Sequence, residues 1–73
     1  MFKSRPEHYT RNATESREVN AQPATMAGHY GAEPAVAIFQ ARQIRYVLPV
    51  NEAMRVATEI ADAVAAHRAQ ESE

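Results

Sequence analysis

The stretch Gln43–Val64, QIRYVLPVNEAMRVATEIADAV, constrains the fold more than any other part of this chain. A short run of β-branched and aromatic residues ends at Leu48-Pro49, and apolar residues then recur at a longer spacing. Val50, Ala53, Met54, Ala57, Ile60, Ala61 and Val64 follow the i, i+3, i+4, i+7 pattern of an amphipathic helix. The spacing predicts a helix over about 49–67. Pro49 suits its first position, where the missing N–H would have no helical partner. Glu52 near the start, with His67 and Arg68 near the end, complements the macrodipole. Arg55 and Glu59 form an i, i+4 pair on the outer face.

Strand followed by helix is also how a ribbon-helix-helix DNA-binding subunit begins. Such a subunit needs a second amphipathic helix after a short turn. After Val64 the chain reads AAHRAQESE, with no Gly or Asn turn and no second apolar stripe. Upstream, AVAIFQ offers a second strand instead. The expected fold is therefore α+β: a β-hairpin of strands at about 36–40 and 44–48, then one C-terminal helix. The loop Ala41-Arg42-Gln43 lacks the Gly or Asn that supplies a left-handed residue in most hairpins. Two alternatives stay open, a single long strand over 35–48 that pairs with a symmetry mate and a helix starting at Pro34. In the hairpin, Ile44, Tyr46 and Leu48 share one face, which is expected to pack on Met54, Ala57, Ile60 and Val64. Ile44, Tyr46, Met54, Ile60 and Val64 are thus the candidate core.

Large apolar residues are few. Of eighteen (Val, Ile, Leu, Met, Phe, Tyr), twelve lie between Val36 and Val64. Residues 1–35 are polar and broken by Pro6, Pro23, Gly28, Gly31 and Pro34. They read as an extended or partly disordered arm, with room for a short helix near Ala13–Asn20 that nothing anchors. Residues 36–68 form the strand-strand-helix module and 69–73 a frayed tail. With no cysteine, the chain has no disulfide and no Cys-based zinc site to staple so thin a core. Association, with itself or another protein, is the remaining staple.

Function classes narrow accordingly. Net charge is −1, whereas phosphate binding favours a basic excess. No apolar stretch is long enough for a membrane span, and MFKSRPEHYT has no apolar signal core, so a cytoplasmic protein without a membrane partner is expected. His8, His29 and His67 fall at no metal-ligand spacing. His29, Tyr30 and Glu33 in AGHYGAE hold acid–base groups, but a solvated loop explains them. Glu52, Glu59 and Asp62 read as a solvated acidic stripe. With two glycines the chain has no phosphate loop, and the Asn12-Ala13-Thr14 glycosylation pattern reads as coincidence. No catalytic residue, metal ligand or cofactor site is expected. Phe39 and Val47, on the far face of the hairpin, are the candidate interface, with Tyr9, Met26 and Tyr30 as anchors in the arm. Arg42, Arg45 and Arg55 are the candidate contacts if a dimeric β-ribbon enters a DNA groove.

IRYVLPVNEAMRVATEIADAV resembles the strand, Leu-Pro-x-x-Glu-Ala, helix tail of small proteins from actinobacteria and their phages. One Lys against seven Arg agrees with such a source. The resemblance covers about a third of the chain and carries over no catalytic residue. It implies a small accessory protein that binds and modulates a larger one. The expected function is a non-enzymatic protein–protein interaction module whose partner is itself or another protein, with a DNA-binding dimer or a virion component as alternatives.

Overall fold

Two turns decide how the strands lie. In the computed structural model, which describes residues 1–71, strands β1 (Val19–Gly28), β2 (Gly31–Gln40) and β3 (Gln43–Pro49) form an antiparallel meander in the order β1-β2-β3. A helix, α1 (Tyr9–Glu18), precedes the sheet, and a long helix, α2 (Val50–Glu71), follows it. The α+β class, the hairpin and the C-terminal helix match the expectation from sequence.

The N-terminal arm does not match. Residues expected to be irregular hold α1 and the whole of β1, which pairs with β2 from Val19↔Gln40 to Gly28↔Gly31. Two features conceal this strand in the sequence. Pro23 sits within it, which only an edge strand tolerates well, and β1 is an edge. Its partner carries Pro34, but β3 pairs no further than Ala35. From Gly31 to Pro34, β2 therefore has a neighbour on one side only, so a missing N–H there breaks no second ladder. The turn His29-Tyr30 is closed by Gly31, whose φ of 123° needs glycine. Helix α1 is preceded by a single 3-10 turn at Pro6–His8. As expected of an unanchored helix, α1 buries no residue. Asn20, expected at its end, lies in β1.

The second hairpin closes with Ala41-Arg42, a loop of two residues rather than the three expected. Ala41 takes the left-handed conformation at φ 54°. A left-handed backbone costs a non-glycine residue about 1 kcal/mol or more. The loop compensates by docking on α1: Ala41 N–H donates to the Glu18 carbonyl at 2.8 Å. Arg45 donates to Gln40 Oε1 at 2.7 and 3.1 Å, and Gln40 Nε2 donates to Glu18 Oε2 at 3.3 Å. Replacing Ala41 by Gly keeps the N–H and relieves the backbone. After the extra unfolded-state entropy of glycine is subtracted, Ala41→Gly is expected to stabilise by about 0.5–1 kcal/mol. A thermal melt should show this as a rise of a few degrees.

A register shift in β3 corrects a second expectation. Ile38 pairs with Tyr46, yet Phe39 pairs with Ile44, so Arg45 is the extra residue of a bulge. Tyr46 and Leu48 keep to the side of α2 with Val36 and Ile38, whereas Ile44 joins Phe39 on the far side. Pro49 closes β3 and Val50 opens α2, so the proline immediately precedes the helix instead of starting it. The helix also continues through Ala69, Gln70 and Glu71, good helix formers that were expected to fray. The remainder of that expected tail, residues 72 and 73, lies outside the described residues.

The expected core is not closed. The only apolar residues of the described chain that are buried are Ala35 and Ala37, in the central strand. Ile44, Tyr46, Met54, Ile60 and Val64 are all exposed, by 44–64%. The chain has 6557 Å² of accessible surface, against about 4,500 Å² for a folded monomer of its mass. Its radius of gyration is 15.6 Å, where a compact domain of this length has roughly 11 Å. One helix laid on three strands leaves large apolar side chains exposed on both sides of the sheet and along most of the helix.

Candidate functional site

The uncovered surface has three parts. The first is a wedge between α2 and the sheet. Ala53 and Val56 are the only half-buried residues of the described helix. Ala53 and Ala57 are too short to close the gap, so Met54 and Ile60 stay 63% and 60% exposed. The wedge includes a cavity of about 690 Å³ lined by Val19, Ile38, Tyr46, Leu48, Val56 and Ile60 among others. Its walls are apolar, with Asn20 and Arg55 at the rim.

The second part is the far face of the sheet. Strand alternation and the bulge put Phe39, Val47 and Ile44 on it, around Ala35 and Ala37. The structure thus brings together Phe39 and Val47 and adds Ile44. Phe39 is half-buried and Val47 is 40% exposed. Met26 lies on the same face beside Glu33, half-buried. The other two anchors stand apart: Tyr9 opens α1, and Tyr30 is fully exposed in the first hairpin turn.

The third part is the exposed stripe along α2, which borders the mouth of the wedge: Val50, Met54 and Ala57 line a groove with Val36, Ile38 and Leu48. Val50, Met54 and Val64 are exposed, with Ala57 and Ala61 between them. Sequence reasoning found this stripe but assigned it to an intramolecular core. The helical period showed that the side chains share a face, but not what covers them.

The arginines do not form a cluster of available donors. Arg45 is held by Gln40, as above. Arg55 donates to Glu52 at 2.9 Å and to Glu59 at 2.8 Å. The hydrogen bond to Glu52, then that to Glu59, raises the pKa of this guanidinium further above its ordinary range. Arg42, in the tight loop, is exposed. Two carboxylates on one arginine also break up the acidic stripe of Glu52, Glu59 and Asp62.

His29 and Tyr30 occupy the first hairpin turn, while Glu33 is already in β2. His67 is exposed on α2. Among the described residues no group of three or more His, Asp or Glu side chains is placed to hold a metal ion. No described helix is long and apolar enough to cross a membrane. In comparisons with known proteins, no family model, no curated protein and no solved structure matches the chain.

Proposed function

We propose that this chain is a non-enzymatic protein–protein interaction module that is completed by association. The observation that carries this reading is the 6557 Å² of accessible surface, with only two alanines buried among the described residues. Twelve of the chain's eighteen large apolar residues stay exposed and are available to a partner. The Leu-Pro-x-x-Glu-Ala resemblance supports a modulatory role toward a larger protein. The three uncovered faces give such a module more than one surface, so that one face can hold a copy of itself while another binds a target.

Association links stability to concentration by mass action. The melting temperature is expected to rise steadily as the protein is concentrated from about 1 to 100 µM, with a solution mass above one chain. A single-chain mass with a concentration-independent, cooperative melt would overturn the reading.

A further inference from the structure

We propose that the open stripe of α2 is covered by α2 of a second copy of this chain, packed antiparallel about a two-fold axis at Ala57. The proposal rests on the association reading above and assigns it a surface.

The stripe has the spacing of a helix–helix seam. Val50, Met54, Ala57, Ala61 and Val64 are separated by 4, 3, 4 and 3 residues, the heptad spacing by which one helix meets another. No residue of the described helix is buried by its own chain. At about 1.5 Å per residue its 22 residues span roughly 33 Å, longer than the seven-residue strand before it at about 3.4 Å per residue. The C-terminal part of α2 therefore runs past the strand that leads into it.

The stripe is also complementary to itself when reversed. In an antiparallel pair centred on Ala57, Val50 meets Val64 and Ala57 meets its own copy, with Met54 and the exposed wedge-mouth residue Ile60 on the flanks. Each large residue faces a large one, and small residues meet where the helices approach most closely. A two-fold interface requires this self-complementarity. The antiparallel arrangement also sets each helix N-terminus beside the other's C-terminus, which the macrodipoles favour.

Area and edges point the same way. The surface in excess of a compact chain is about 2,000 Å². Permanent dimers bury about 1,000 Å² or more on each partner, so a second copy can be accommodated within that excess. The sheet edges are poorer candidates, since Pro23 interrupts β1 and the Arg45 bulge distorts β3.

The test is disulfide cross-linking of the full chain, which has no cysteine of its own. Helices packed with axes 8–10 Å apart bring facing Cα atoms to roughly 5 Å, within disulfide reach. Oxidised Ala57→Cys is expected to become a covalent dimer while its helical circular dichroism is retained. Ala63→Cys, off the seam, should cross-link roughly tenfold more slowly or less. Val50→Cys and Val64→Cys should link to each other when mixed, in preference to themselves. Preferential self-linking of Val50→Cys would show a parallel pair and overturn the proposal. A solution mass of two chains without Ala57→Cys linkage would also overturn it, leaving the association reading intact. If Phe39→Asp then dissociated that dimer, the interface would lie on the far sheet face. A single-chain mass at every concentration would overturn both.

Discussion

Met54→Asp is expected to weaken self-association by about a thousandfold, read by sedimentation equilibrium. In the isolated chain Met54 is 63% exposed. A surface substitution there would change folding stability by only about 0.5 kcal/mol. In a two-fold seam the residue is buried twice. Loss of about 2 kcal/mol of apolar burial at each copy amounts to about 4 kcal/mol, or three orders of magnitude in dissociation constant. The uncompensated carboxylate adds to the penalty. Met54→Leu, nearly equal in volume, should leave association almost unchanged. Equal affinities for the Asp and Leu variants would show that this side chain remains in water.

Removal of residues 1–30 is expected to abolish the sheet, whereas removal of residues 1–17 should be tolerated. The longer truncation takes away β1 and leaves a two-stranded hairpin, marginal by itself in water. Ile38 would lose Ala21 beside it, and Gly31 to Pro34 would have no strand partner at all. The shorter truncation removes a helix that buries nothing and keeps Glu18, whose carbonyl accepts the Ala41 N–H. We expect a loss within about 1 kcal/mol for the shorter form. For the longer form we expect loss of the strand signal in circular dichroism and of the cooperative melt. Retention of a cooperative melt by residues 31–73 would show that β1 is dispensable.

Helix α2 was legible because its evidence is local. Seven apolar positions at a 3.6-residue period, acidic residues early and basic residues late all act within the segment itself. The hairpin of β2 and β3 was legible for the same reason, though its loop length was not. The left-handed Ala41 is stabilised by Glu18, twenty-three positions earlier in the chain, which no pattern around the turn reveals. Arg45 as a bulge is equally silent in the sequence, since alternation alone places Ile44 with Tyr46.

Strand β1 and the open faces were decided by tertiary structure. VNAQPATMAG has little β propensity of its own, and Pro23 speaks against it. It becomes a strand because Gly28 to Gly31 fold it back onto β2, whose edge would otherwise be unpaired. Composition and periodicity alone set how many bulky apolar side chains the chain has and which of them share a helix face. That these faces remain open follows from the tertiary arrangement, in which one helix on three strands covers little of either.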